Sequence, residues 1–325
     1  MGESGGSSSI DTILTAPPVP LPFHAAIMTS SQISVPASPL TPEVYTESWR
    51  ILAELAGCDD AEFTLQCLQE VPAQDLTNLI TDNDLSFSAS PDGGITWANT
   101  PRLDRLAGKT AAVPILIGTT YDEASNTVIG QNDTRAALEK IGLDDDNLVD
   151  LIISQYPLGE PGILTENARI NRIVTEFLMQ CNTQLHANDT KSLGIPSWRF
   201  VFNASFPNTE FYPNAGAYHA IEVGFAFGTY RQEGATEFQH ELSRALQKAY
   251  ADFARDPTAG PGWPQIPTIG VFGDGVTPGV DVEAEELRPL TTIPSAVLDK
   301  RCPLYYSVYN ELSLGSGNGV GSAVE

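Results

Sequence analysis

Three short apolar runs constrain the fold of this chain most tightly. Ala112-Val-Pro-Ile-Leu-Ile-Gly118 carries no charged side chain, and Trp198-Arg-Phe-Val-Phe202 and Thr268-Ile-Gly-Val-Phe272 follow at wide intervals. A continuous apolar run of this length bounded by turn residues suits a strand covered on both faces, the environment of a parallel sheet. Between the last two runs, Phe238, Leu242, Ala245, Ala249 and Phe253 recur at three- and four-residue spacing, which predicts a helix of about five turns. Thr41-Pro42 is a cap followed by a first-turn proline, with Val44, Trp49, Leu52 and Leu55 at helical spacing until Gly57, so a second amphipathic helix is expected there. Strands alternating with helices indicate an α/β fold, whose ligands gather beyond the carboxyl ends of the strands. No repeat or linker divides the sequence, so one domain over residues 1–325 is expected.

Charge excludes one class of partner. The 17 basic and 41 acidic residues give a net charge of -24, which repels a phosphate backbone, so no nucleic-acid partner is expected. The acidity is spread along the chain as a solubilising surface, and no apolar run approaches the roughly 20 residues that span a bilayer, so no integral membrane association is expected. Four cysteines form an even set beside three N-x-S/T sequons at Asn132, Asn188 and Asn203, candidate glycosylation sites. Both features favour a secreted, extracellular protein. Met1-Gly-Glu-Ser-Gly-Gly6 has no signal-peptide character, so a signal, if used, lies upstream.

The same terminus holds a chemical pattern. Gly2-Glu3-Ser4-Gly5-Gly6 fits G-x-S-x-G, a tight strand-to-helix turn that lifts a serine hydroxyl clear of the backbone, although a flexible leader rich in Gly and Ser reads the same way. A serine nucleophile needs a base, and the base needs an orienting acid. Of four histidines, His24 sits in a predicted strand and His186 and His240 in helix-like stretches. His219 alone lies in a small-residue loop running into an apolar segment, which makes it the best candidate base. For the acid, Asp122 and Glu123 stand side by side just beyond the Ala112–Gly118 run. Neither a zinc pattern nor a nucleotide-binding glycine loop is present, so no metal or cofactor is implied.

Two further segments carry a resemblance. His219-Ala-Ile-Glu222 with Phe225-Ala-Phe-Gly228, and Ile117-Gly-Thr-Thr-Tyr-Asp-Glu-Ala-Ser125, closely resemble the histidine and acid motifs of the type-B carboxylesterase/lipase family, which includes cholinesterases and fungal esterases. With the elbow they stand in that family's order. The resemblance implies an α/β-hydrolase fold and a carboxylic-ester hydrolase acting on small-molecule or lipid esters through an acyl-enzyme, with Ser4 as nucleophile, His219 as base, Glu123 rather than Asp122 as acid and the Gly5 N–H as an oxyanion donor. It also implies the disulfides Cys58–Cys67 and Cys181–Cys302. Relative to that family, the chain corresponds to the carboxyl-terminal portion, beginning at the nucleophile elbow without the first strands and the Gly-rich oxyanion loop. On this reading it is a truncated form of an active esterase. The alternative is a non-catalytic remnant or a binding scaffold built on the esterase fold.

Overall fold

A computed structural model describes residues 1–30, 42–60, 62–87, 95–96, 100–276 and 287–313. Its strands are β1 (Gly2–Glu3), β2 (Ala26–Thr29), β3 (Ile115–Thr120), β4 (Ser197–Ala204), β5 (Thr268–Val276) and β6 (Leu290–Pro294). They lie side by side in sequence order, β1 to β5 parallel and β6 antiparallel at the far edge. The register pairs Met28 with Ile117, Gly118 with Phe200 and Val201 with Val271. The three predicted runs are therefore β3, β4 and β5, adjacent in the sheet. The stretch around His24 is extended only from Ala26 onward, so His24 lies in the bend before β2, with Nε2 3.4 Å from the Ala254 carbonyl.

The helices are α1 (Gly5–Thr15), α2 (Pro42–Leu55), α3 (Thr64–Glu70), α4 (Ala73–Asp82), α5 (Pro101–Leu106), α6 (Thr134–Lys140), α7 (Asp146–Ser154), α8 (Glu166–Thr175), α9 (Cys181–Ser192), α10 (Ile221–Phe227), α11 (Glu237–Arg255), α12 (Ser295–Leu298) and α13 (Tyr306–Ser313). The predicted long helix is α11, opened by a capping box in which Thr236 and Gln239 satisfy each other's backbone N–H groups. The predicted Thr41–Gly57 helix is α2; Thr41 itself lies outside the described residues, and Trp49 points outward, 38% exposed, while Leu52 is buried.

Alternation along the strands sorts their side chains onto two covered faces. Trp198, Phe200 and Phe202 of β4 pack with Leu242, Leu246 and Phe253 of α11 and Phe225 of α10. On the opposite face, Met28, Ile115 and Ile117 pack with Leu14 of α1 and Ala187 of α9. Each of these large side chains contributes roughly 1.5–3 kcal/mol by leaving water, which explains why the strands read as unbroken apolar runs.

Both disulfides form, Cys58–Cys67 with Cα atoms 5.7 Å apart and Cys181–Cys302 at 5.2 Å. The second ties the start of α9 to the segment leading into α13. Beside it lies a buried polar network in which Tyr156 donates to Glu176 at 2.6 Å and shares a 2.7 Å bond with Tyr305, while Arg172 pairs with Glu176 at 2.9 Å. No helix among the described residues is long and apolar enough to cross a membrane.

Candidate active site

Ser4 joins β1 to α1 at φ 50° and ψ -121°, a backbone region that L-residues rarely occupy. Such a residue costs about 1–3 kcal/mol and persists only where its surroundings fix it. Here Ser4 N–H donates to Thr29 O of β2 at 2.9 Å, and Ser4 O accepts from Ser8 N–H at 3.0 Å in the first turn of α1. Gly2 is sterically required, because a Cβ there would overlap the Gly6 carbonyl. Gly5 and Gly6 have open space at the equivalent point. The first glycine of the motif is thus set by contact within the turn, and the ones after Ser4 are not. Gly5 sits at the amino end of α1, where backbone N–H groups lack intrahelical acceptors and face outward as donors.

Glu123 follows β3 in a tight turn, its side chain 1% exposed. Oε1 accepts the Thr120 N–H at 2.7 Å, leaving Oε2 2.6 Å from His219 Nδ1. Asp122 points elsewhere. Its carboxylate accepts from Ala217 N–H at 3.0 Å and Asn171 Nδ2 at 3.1 Å, and its own N–H donates to Ala217 O at 2.9 Å. A side chain on Gly216, at φ 68°, would overlap that carboxylate. The adjacent pair therefore divides the work: Asp122 pins the loop that carries the histidine, and Glu123 meets the imidazole. Burial raises the Asp122 carboxyl above its ordinary range, and Arg172 opposes that shift.

His219 follows that loop beyond the carboxyl end of β4, just before α10, with 22% of its side chain exposed. Its pKa is raised, first by the hydrogen bond to Glu123. This favours the imidazolium that a general base becomes on taking a proton. Nε2 faces the other way, 3.3 Å from Glu3 Oε1, an ion pair when the ring is protonated. The structure does not join Ser4 Oγ to His219 by a hydrogen bond. The other histidines are occupied elsewhere: His240 Nδ1 shares a 2.6 Å bond with the Tyr230 hydroxyl, and His186 lies buried 3.5 Å from Asp11. Asp11 also pairs with Arg105, anchoring α1 to α5 and α9.

Two carboxyls that the sequence pattern left without a role complete the surroundings. Glu3 is half-buried and burial raises its pKa, with the charge of His219 working the other way. Glu222, three residues after His219, has no exposed surface. Neither of its oxygens makes a well-formed hydrogen bond; the nearby Thr29 hydroxyl and its own backbone give slight relief, and burial followed by repulsion from Glu123 pushes its pKa up to about 8. Its placement was signalled only by the i, i+3 spacing from His219 into a predicted apolar segment. Among the described residues, no three His, Cys, Asp or Glu side chains converge as metal ligands.

Of the three sequon asparagines, Asn132 and Asn188 are exposed, the first in the turn before α6 and the second within α9, while Asn203 is only partly exposed in β4.

Residues 1–269 match the model of the Carboxylesterase family. Among curated proteins, the chain is 26% identical over 223 residues to "Secreted lipase 5" of Gibberella zeae, covering 62% of this chain and 36% of that protein. It is 24% identical to "Chlorogenic acid esterase" of Aspergillus niger, covering 80% of this chain and 46% of the relative, and 26% identical to human "Carboxylesterase 5A", covering 78% and 48%. The chain thus spans between about a third and a half of these relatives. Among solved structures, "PNB esterase" superposes with a TM-score of 0.68 at 22% identity, covering 93% of this chain and 62% of that one. The fold is that of the α/β-hydrolases.

Proposed function

Because the chain belongs to the carboxylesterase family, we propose that it is the part of a carboxylic-ester hydrolase that carries its whole catalytic triad, Ser4, His219 and Glu123. The observation that carries this reading is the 2.6 Å contact between buried Glu123 and His219 Nδ1, set beyond the strand ends on the same side as the strained Ser4 turn. With Glu123 on Nδ1, the tautomer that leaves Nε2 basic is favoured. His219 takes the Ser4 proton as Oγ attacks the ester carbonyl. It returns that proton to the departing alkoxide, leaving an acyl group on Ser4. Water activated by the same nitrogen then releases the acid. The negative carbonyl oxygen sits at the amino end of α1, with Gly5 N–H as one donor, a contribution worth roughly 10²–10³ in rate per donor.

The substrates in this reading are small-molecule or lipid esters, a class that the names of the fungal relatives span. The two disulfides and the likeness to a secreted lipase support an extracellular setting. Residues 1–325 are taken as part of one esterase domain, and further amino-terminal sequence is proposed to supply additional oxyanion donors. The test is hydrolysis of p-nitrophenyl butyrate by this chain and by a form extended upstream from its encoding DNA, each beside Ser4→Ala. Turnover in either form that Ser4→Ala abolishes supports the proposal. Turnover that survives the substitution, or its absence from both forms, refutes it. Which form turns over decides whether the upstream sequence is needed.

A further inference from the structure

A cleft lined by none of the triad residues lies where α7 packs against the segment after the Cys181–Cys302 disulfide. The cleft, of about 490 Å³, opens between Leu148 and Leu151 of α7 on one side and Leu304 and Ser307 on the other, with Lys300 and Arg301 along its rim. That volume falls within the roughly 300–1,000 Å³ typical of small-ligand pockets. Its apolar surface is partly open: Leu151 is 48% exposed although it sits on the same helix as Val149 and Ile152, which are buried. The position of Leu151 is unexplained by packing of the core.

The charges at the rim are unevenly spent. Arg301 is committed to the protein, donating to the Gln155 carbonyl at 2.8 Å and to Glu160 at 2.5 Å, with its guanidinium 4.2 Å over the Tyr156 ring. Glu160, held by Arg301, reaches Lys300 only at 4.0 Å, and the Lys300 side chain remains 58% exposed. The acidic residues of α7, Asp146 and Asp150, are engaged by Arg135 of α6. One incompletely neutralised ammonium group therefore borders an apolar floor, in a chain whose overall charge is -24.

We propose that this cleft binds an alkyl carboxylate, its chain laid over Leu148, Leu151 and Leu304 and its carboxylate paired with Lys300. A single cation that shares its only carboxylate with Arg301 matches a monoanion better than a dianionic phosphate, and the Ser307 hydroxyl offers a second donor to the head group. The inference does not depend on the proposed catalytic reading, because none of its residues belongs to that site.

The test is calorimetric titration of the protein with sodium octanoate, 1-octanol and sodium acetate, repeated on Lys300→Glu and Leu151→Asp. Both substitutions fall on exposed side chains, and an unfolding transition matched to the wild type shows that each variant is folded. Octanoate is expected to bind at least about tenfold more tightly than either 1-octanol, which lacks the charged head group, or acetate, which lacks the chain, a difference of about 1.4 kcal/mol. Each variant is expected to weaken octanoate about tenfold or more, and raised salt to weaken it further. Octanoate binding that either variant leaves unchanged places the ligand elsewhere and overturns the proposal. Equal affinity for 1-octanol, or no octanoate binding, overturns it as well.

Discussion

Replacing Glu222 by glutamine tests how the protein tolerates a buried carboxyl behind its candidate base. The Glu222 pKa is pushed from its ordinary 4.5 to about 8, chiefly by burial and then by repulsion from Glu123. The folded state therefore holds a proton that the unfolded state has released, so stability falls as pH rises from about 4.5 and levels off above about 8. At roughly 1.4 kcal/mol per pH unit, the full excursion is on the order of 5 kcal/mol. Water reaching the carboxylate would reduce this, so about 2–5 kcal/mol is the expected range. Glutamine keeps the shape and does not titrate. Urea unfolding of wild type and Glu222→Gln at pH 5, 7 and 9 should give similar midpoints at pH 5 and a variant increasingly more stable than wild type towards pH 9. The difference between the two proteins isolates Glu222 from other titrating groups. A difference that stays constant between pH 5 and pH 9 would refute the reasoning, because it would show that Glu222 ionises no less readily in the folded protein than in the unfolded chain.

Three further predictions follow from the same geometry. The hydrogen bond His219 donates to Glu123 raises the His219 pKa, so the acid limb of a kcat/KM profile should lie above the ordinary histidine value of 6.5; Glu123→Gln should move it down and lower kcat by about 10³–10⁴. Gly2→Val should remove hydrolysis by at least about 100-fold, measured with the same p-nitrophenyl ester, because the side chain collides with the Gly6 carbonyl and the Ser4 turn cannot close. Opening Cys181–Cys302 by paired serine substitution should cost about 5 kcal/mol in denaturant unfolding and opening Cys58–Cys67 about 2–3 kcal/mol, since the chain-entropy model scales with the 121- and 9-residue separations.

The parts of the fold most legible in the sequence were those where one physical effect dominates. β3, β4 and β5 are covered on both faces and so spell continuous apolar runs, and α11 buries one stripe and shows it as 3.6-residue spacing. β6 escaped because an antiparallel edge strand, Leu-Thr-Thr-Ile-Pro, is only partly buried and has no unbroken apolar run. The helical nature of α1, Gly-Gly-Ser-Ser-Ser-Ile-Asp-Thr-Ile-Leu-Thr, could not be read from propensity either. Its glycines and serines favour turns; it is held by tertiary anchors such as Asp11 against Arg105, 94 residues away.

At the site, His219 stood out by its loop and Ser4 by its motif. The choice between Asp122 and Glu123 needed resemblance to a family, since both carboxylates occupy the same turn and only their side-chain directions separate them. The carboxyls of Glu3 and Glu222 had no readable role, because burial and mutual repulsion are properties of the folded surroundings and not of spacing.

The most direct test of the Ser4–His219–Glu123 triad is stoichiometric labelling with an alkyl fluorophosphonate followed by peptide mass mapping. A single adduct on Ser4 is expected, formed at least about 100-fold more slowly in His219→Ala because the base that activates the serine is gone. An adduct confined to a different serine, or labelling of Ser4 at an equal rate without His219, would contradict the claim that Ser4, His219 and Glu123 act as one catalytic unit.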